Sequence, residues 1–249
     1  MKKFLRLLSL LLIVSSFMVS APSLASDLEV STVKNVRLKA GERILSKQQN
    51  MEYLAGLSKE EKQIILAKEK LALSLEKSNN RKSGSLISLP GSFTLFIQEN
   101  DAYCVPATIK SILGYINGTS PSQSDIADAI GTSMIIGTSP TTIAPYLNEN
   151  QNRNYYVYQP NYDMGINTMC SRIYSAISYS HVPASIGIDT TSTSWFYHIS
   201  GHSTAVIGIY DDYSKIKLAD PAGGLIPGCP SFYIKDASTV YNCCTRLVW

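Results

Sequence analysis

The stretch that decides the fold is Gln98-Glu99-Asn100-Asp101-Ala102-Tyr103-Cys104-Val105-Pro106-Ala107-Thr108, which places a cysteine at the start of a predicted helix. A helix N-terminus and a nearby imidazolium both favour the thiolate, which is the nucleophilic form of cysteine. Pro106 suits the first turn, because the amide hydrogen it lacks would have no partner there. We therefore expect Cys104 to open a helix as a nucleophile. A buried, inert cysteine is the alternative for this residue alone.

Two downstream motifs provide partners for such a thiol. Of three histidines, His202 is the best base, because it follows Gly201 and opens the strand-like run at 203–209. Asp220 ends the next apolar strand, and a hairpin between the two strands would let its carboxylate orient the imidazole. Gln98, six residues before the thiol, can donate a hydrogen bond to an oxyanion. Together these residues predict thiol-based acyl transfer, whereas a structural histidine and a turn aspartate are the plainer alternatives.

The first residues predict export. Lys2, Lys3 and Arg6 precede an apolar run at 7–14, and small residues at 23–25 suit a signal peptidase. We expect a secretory signal peptide at 1–25, because the apolar run is too short for the alternative, an uncleaved membrane anchor. The mature protein is then secreted, extracellular or associated with the cell wall, and is expected to have no membrane span.

The rest of the chain divides by charge. Residues 26–89 hold twelve Lys/Arg and eight Asp/Glu, whereas residues 90–249 hold seven and eleven. A helix is predicted from a capping box at Ser58 to about Lys77. Because a basic segment can dock on an acidic domain, we interpret residues 26–89 as a pro-segment and linker that inhibits a domain at 90–249. A helix packed permanently on that domain is the alternative. No nucleic-acid-binding surface is predicted.

Within residues 90–249, most helical patterns precede the strand patterns. The predicted helices are 104–115, 121–130, 140–147 and 166–177, and the predicted strands are 155–158, 183–188, 203–210, 215–219 and 231–235. Residues 211–214 are typical of a hairpin connection. The order predicts an α+β fold in which the helix that begins at Cys104 packs on an antiparallel sheet.

The other four cysteines leave Cys104 as the odd one of five. Because export permits disulfides, we expect Cys229 to pair with Cys243 or Cys244. Cys170 is expected on the apolar face of a helix. No Cys-x-x-Cys spacing occurs, so we expect no metal and no other cofactor.

The ordered motifs resemble the papain-like cysteine peptidases, in the bacterial branch similar to the double-glycine leader peptidases. The resemblance covers about residues 90–240. It is carried by Gln98, Cys-x-Pro-Ala-Thr at 104–108, Gly201-His202 before an apolar strand, and Ala219-Asp220-Pro221. It implies a papain-like fold, with Cys104 as nucleophile, His202 as base and acid, Asp220 as orienter, and Gln98 in the oxyanion hole. Many relatives have Gly where this chain has Val105, which is expected to alter substrate approach. A double-glycine substrate is not implied, because those leader peptidases are usually domains of transporters.

These observations predict a secreted cysteine peptidase, made as a precursor, that hydrolyses a peptide or protein substrate through a thioester acyl-enzyme. An amidase or transglutaminase-like enzyme acting on cell-wall or surface peptides is one alternative, because the acceptor decides the outcome of acyl transfer. A non-catalytic protein of the same fold, binding peptides in an aromatic groove near residues 195–197, is another.

Overall fold

The computed structural model describes residues 41–78, 83–162 and 164–249. The predicted signal peptide at 1–25, the start of the predicted pro-segment and residues 79–82 of the predicted linker lie outside the described residues. No helix in the described ranges combines the length and apolarity needed to cross a membrane.

Seven strands form one antiparallel sheet in the described part of the chain. They are β1 (Leu86–Ser88), β2 (Tyr158–Pro160), β3 (Ala184–Asp189), β4 (Ser200–Tyr210), β5 (Lys215–Ala219), β6 (Phe232–Asp236) and β7 (Cys244–Val248). Their order across the sheet is β2-β7-β3-β4-β5-β6, and β1 pairs with β4 outside this path. The long strand β4 is almost completely buried, because it has strands beside it and helices packed on it.

The helices of the described residues surround this sheet. They are α1 (Lys47–Gly56), α2 (Lys59–Ser78), α3 (Cys104–Asn117), α4 (Gln123–Ala129), α5 (Ile143–Asn150), α6 (Ile166–Tyr174) and α7 (Ala237–Cys243). A 3₁₀ turn (Pro140–Thr142) precedes α5, and a π-helical turn (Ser175–Tyr179) follows α6. As predicted, α3 begins at Cys104, and it ends where Gly118 adopts a left-handed φ of 76°.

The packing of α3 on β4 confirms the predicted α+β architecture. The buried face of α3 carries apolar side chains that join the core between helix and sheet. At its first turns, Thr108 Oγ1 donates a 3.1 Å hydrogen bond to the backbone oxygen of Ser203. Because Ser203 follows His202 on β4, this bond fixes the start of α3 beside the predicted base.

Most predicted elements are present, with shifted ends. Residues 211–214 connect β4 and β5 as predicted. Helix α4 begins at Gln123 rather than Pro121, because Ser122 rather than Ser120 forms the capping box with Asp125. Helix α1, strand β1, helix α7 and strand β7 were not predicted. In β7 the charged Arg246 interrupts a short apolar run, so the pattern gives little strand signal.

The segment before residue 90 packs on the rest of the chain. The predicted helix is α2, and its capping box at Ser58 is present. Lys68 Nζ donates to the backbone oxygen of Trp249 at 2.8 Å, and Glu69 pairs with Arg172 at 2.6 Å. Strand β1 also precedes residue 90, so the sheet begins inside the segment that the sequence analysis assigned to pro-segment and linker.

Candidate active site

His202 and Asp220 meet at the end of the β4–β5 pair. The antiparallel register that aligns Ala205 with Ala219 brings the first residues of β4 beside the residue that follows β5. His202 Nε2 lies 2.8 Å from Asp220 Oδ1, and both side chains are at most 1% exposed. The structure therefore brings together the predicted base and its predicted orienting carboxylate.

Asp220 is held by more donors than the sequence analysis identified. Tyr197 and Tyr233 each donate a hydroxyl hydrogen bond to Oδ2, at 2.6 and 2.7 Å, and the amide of Ala222 donates to Oδ1 at 2.9 Å. Burial alone would raise the pKa of Asp220, but the His202 charge and the hydrogen bonds lower it. Tyr233 is aligned with Leu218 on β5, a position that only the register of β6 reveals.

Cys104 completes a three-residue arrangement with His202 and Asp220. Its thiol is buried at the N-terminus of α3, close enough to His202 to contribute to the raised pKa of the imidazole. Since Nε2 of the imidazole faces Asp220, Nδ1 is the ring nitrogen left to face the thiol. Burial lowers the pKa of His202, but the Asp220 charge and hydrogen bond, together with the Cys104 contact, raise it to about 10. The imidazole therefore holds a proton at neutral pH.

Gln98 lies at the same end of the sheet. Its backbone amide donates to the carbonyl oxygen of Pro221 at 2.9 Å, directly beside Asp220. The side chain of Gln123 binds the backbone on both sides of Gln98 and fixes this loop. The Nε2 atom of Gln98 donates to the carbonyl of Asn100 at 2.9 Å, while its buried Oε1 has no partner among the described residues. The amide group has two N–H donors, so the one not bound to Asn100 is available to an oxyanion.

A short extended segment, residues 41–43, covers the thiol; we call it the cleft strand. A β-carbon built on Gly41 would overlap Sγ of Cys104. The carbonyl oxygen of Gly41 accepts a 3.0 Å hydrogen bond from the amide of Thr138, and the amide of Arg43 donates to Thr138 O at 2.8 Å. The cleft strand therefore lies directly over the predicted nucleophile. The sequence analysis assigned these residues to the pro-segment without locating them.

Glu42 fixes the middle of the cleft strand. Its amide donates to the carbonyl oxygen of Gly201 at 3.1 Å, and its own carbonyl occupies the place where Gly201 would carry a β-carbon. Gly201 thus leaves room for a peptide backbone. The side chain of Glu42 forms a buried, bidentate ion pair with Arg246 of β7. The cleft strand is consequently held by backbone hydrogen bonds to Thr138 on one side and Gly201 on the other, and by the ion pair with Arg246.

The sequence of this chain matches one known protein family. The sequence profile described as the Peptidase_C39 like family matches residues 91–228, which is more than half of the chain. The chain belongs to the Peptidase_C39 like family. It is therefore a cysteine-type peptidase, and the resemblance to papain-like cysteine peptidases is confirmed. Cys104, His202 and Asp220 all lie within the matched residues.

Among solved structures, this Peptidase_C39 like protein is similar to xylellain, a cysteine protease from Xylella fastidiosa. The two share 11% sequence identity with a TM-score of 0.46, over 70% of this chain and 87% of that chain. No sequence among the curated proteins matches this chain.

The side chain of Val105 is completely buried and belongs to the hydrophobic core, as does that of the neighbouring Cys104. Because the cleft strand covers this part of the molecule, burial does not decide whether Val105 faces the cleft, and its effect on substrate approach stays a prediction.

The cysteines correct one prediction. Cys229, Cys243 and Cys244 are free, buried thiols, so the expected disulfide is wrong. The Cys229 thiol lies 4.0 Å from Asp220 Oδ2, whereas Cys243 ends α7 and points at the carbonyl of Thr239. Burial raises the pKa of Cys229 to about 12 and that of Cys243 to about 11, which makes both poor nucleophiles. Cys170 is buried on α6, as predicted.

The structure also shows where the other possible metal-binding residues lie. His181 and His198, the two histidines not chosen as the base, are exposed. Within the described ranges, no group of three or more His, Cys, Asp or Glu residues is arranged to hold a metal ion.

Proposed function

We propose that this peptidase is secreted as an inactive precursor and hydrolyses peptide bonds with Cys104 as nucleophile, His202 as general base and acid, and Asp220 as the orienting residue. The observation that carries the proposal is the position of His202. It is buried between a carboxylate on one ring nitrogen and a thiol at the other. Neighbouring thiol, imidazole and carboxylate groups are what nucleophilic acyl transfer requires.

The first half of the reaction forms an acyl-enzyme. Protonated His202 favours the thiolate of Cys104, which attacks the carbonyl carbon of the scissile bond. Negative charge develops on the carbonyl oxygen, where the amide of Cys104 at the start of α3 and the side-chain amide of Gln98 act as donors. His202 then gives its proton to the leaving amine as the carbon–nitrogen bond breaks, and a thioester remains on Cys104.

The second half releases the acyl group. The now neutral His202 accepts a proton from water, and the resulting hydroxide attacks the thioester carbon. The carbon–sulfur bond breaks, the carboxylic acid leaves, and the proton held by His202 restores the ion pair. Throughout, Asp220 keeps Nδ1 directed at the sulfur, and the hydroxyls of Tyr197 and Tyr233 keep Asp220 ionised.

The cleft strand supports the inhibited precursor. Gly41 lies against the thiol, so no substrate carbonyl reaches Cys104 while the strand is in place. The carbonyl of Gly41 is itself bound to the amide of Thr138, which directs it to the loop around residue 138. Residues 26–89 thus act as an intramolecular inhibitor, and secretion follows from the predicted signal peptide at 1–25.

Alkylation of Cys104 tests the assignment of nucleophile and base. Iodoacetamide labelling is followed by peptide mass spectrometry from pH 5 to 9, in chains with Glu42→Ala to open the cleft, with and without His202→Ala. We expect rapid labelling at pH 6 that the His202 change abolishes, while Cys229 in the same digest labels slowly in both. Labelling of Cys104 only above pH 8, unchanged by His202→Ala, would contradict the proposal.

Turnover tests the reaction itself. The Glu42→Ala chain is expected to cut peptides in a mixed library, and Cys104→Ser in that background is expected to cut none. Adding a primary amine distinguishes hydrolysis from transfer, because amide products in place of acids would show that the enzyme is an acyl transferase.

A further inference from the structure

We infer that Arg246 forms the base of a substrate pocket that selects an acidic side chain, and that Glu42 fills this pocket in the precursor. The inference rests on the proposed function, because it takes the cleft strand to occupy the place of a substrate. It names what that site accepts: a peptide with glutamate, and less favourably aspartate, close to the scissile bond.

The guanidinium of Arg246 is built as a carboxylate receptor. Arg246 is 1% exposed, and its Nε and Nη2 atoms both donate to the carboxylate of Glu42. Nη1 donates to Ser185 Oγ at 2.8 Å, and Nη2 also donates to Ser203 Oγ at 2.9 Å. These hydroxyls are neutral, so they fix the plane of the guanidinium without balancing its charge. Among the described residues, Glu42 is the carboxylate paired with Arg246.

The pocket adjoins the reaction centre. In the sheet, Gly187 of β3 is aligned with Ser203 of β4 on one side and with Arg246 of β7 on the other. Ser203 directly follows His202, and Glu42 directly follows the residue that covers Cys104. A side chain entering beside Gly187 therefore belongs to a residue close to the bond that Cys104 attacks.

Gly187 provides the space for the carboxylate. A β-carbon on Gly187 would overlap Oε1 of Glu42 and would lie 2.7 Å from Oγ1 of Thr245. That hydroxyl is buried and has no hydrogen-bond partner within the described residues. The pocket is thus an opening in the surface of the sheet, with a cation at its base and an additional hydroxyl at its edge.

Charge makes the pocket selective. When the cleft strand leaves, Arg246 loses its counter-ion while two serines and the sheet still hold it in place. A buried charge without a partner is strongly unfavourable, so a substrate carboxylate that restores the pair gains affinity that an amide of the same shape does not. Glutamate matches the length of the side chain now bound, and aspartate is one methylene shorter.

A binding measurement tests the pocket without requiring turnover. The full chain carries Cys104→Ser to stop catalysis, with Gly41→Val and Glu42→Ala so that the cleft strand loses both its fit and its anchor. Fluorescence polarisation measures binding of a labelled peptide with the sequence of residues 36–46, in its natural form and with glutamine replacing the glutamate. We expect the glutamate peptide to bind about tenfold or more tightly than the glutamine peptide, since bonds between charged groups exceed those of neutral ones by that amount. Adding Gly187→Ala or Arg246→Met should abolish the difference, and equal affinity of the two peptides in the opened chain would overturn the inference.

Circular dichroism and cleavage-site profiling cover the case in which the opened chain does not fold. If the opened chain is unfolded by circular dichroism, the same comparison is made by cleavage-site profiling of the Glu42→Ala chain on a peptide library. Enrichment of glutamate at one position near the cut, lost on Arg246→Met, supports the pocket, and its absence overturns it. Failure of the proposed function has a different signature: Cys104 is unreactive and no peptide is cut, while the binding comparison still decides what Arg246 accepts.

Discussion

Replacing Glu42 by alanine should open the active site of the precursor. Glu42 and Arg246 are each 1% exposed and are joined by two parallel hydrogen bonds. Removing one partner of such a buried pair costs about 3–5 kcal/mol, because the other charge stays in the protein interior without a counter-ion. Departure of the cleft strand exposes Arg246 to water, so this cost falls on the closed form and favours the open one. At about 1.4 kcal/mol per factor of ten, the open form gains about 100- to 4,000-fold over the closed form.

The assay is the rate at which iodoacetamide labels Cys104 at pH 7 in the full chain. Because the strand must leave before the reagent enters, the rate should rise with the open fraction until the open form predominates. Arg43→Ala is the matched control, since it also removes a charge from the cleft strand while the backbone amide still bonds to Thr138. It should label within about twofold of the unmodified chain, as surface changes have small effects.

The reasoning is refuted if Glu42→Ala labels as slowly as Arg43→Ala. Global unfolding is excluded by circular dichroism and by the double change Glu42→Ala with Arg246→Met. That chain has no unpaired buried charge, so it should be as stable as the unmodified protein within about 1 kcal/mol, and its labelling should fall back towards the slow rate because nothing drives the cleft strand out.

Changes around His202 and in the core give further expectations. Tyr197→Phe or Tyr233→Phe removes a donor to the carboxylate of Asp220, a bond that contributes about 1.5–3 kcal/mol. The hydroxyl partly neutralises the carboxylate that stabilises the imidazolium, so without it the pKa of His202 should rise and the alkaline limb of the pH–rate profile should move to higher pH; an unmoved limb would contradict this. Because contacts in the folded protein raise the pKa of His202 from 6.5 to about 10, its stabilising contribution is complete below pH 6.5 and is lost as the pH rises through 10. Urea unfolding at pH 6, 8 and 9.5 should show this loss, and His202→Gln should lack it. Val105→Ala should lower the free energy of unfolding by about 2 kcal/mol, and a change in kcat/KM per folded molecule would place Val105 at the substrate.

The part of the site that is local in sequence was predictable. Cys104 opens a helix because of the motif that surrounds it, and His202 and Asp220 are only 18 residues apart across a hairpin. Two antiparallel strands joined by a short turn have few possible registers, so their ends must meet. The same reasoning fails for Tyr233, because β6 follows a longer connection whose register the sequence does not specify.

The disulfide prediction failed, and the Glu42–Arg246 ion pair was missed, because amino-acid composition does not specify which distant residues come close together in the fold. The expected disulfide rested on an odd number of cysteines in an exported chain, yet Cys229, Cys243 and Cys244 are all free, buried thiols. A bridge requires a specific distance and direction between two β-carbons, which counting cannot supply. The ion pair between Glu42 and Arg246 joins residues 204 positions apart, and a single sequence gives no means to match them.

That long-range pair connects the inhibition of the enzyme with its selectivity. A pro-segment that blocks a cleft by binding where substrate binds must satisfy the same groups that recognise substrate, so its sequence carries information about what the enzyme accepts. In this chain the residue beside the thiol is glycine, the next is a glutamate bound to a fixed arginine, and the backbone of both is held as an extended peptide would be held. A permanently packed structural segment would not need a buried cation at the reaction centre, because an apolar pair of similar volume would be at least as stable. The retention of a charge at this position is therefore better explained by a carboxylate that has to be exchangeable.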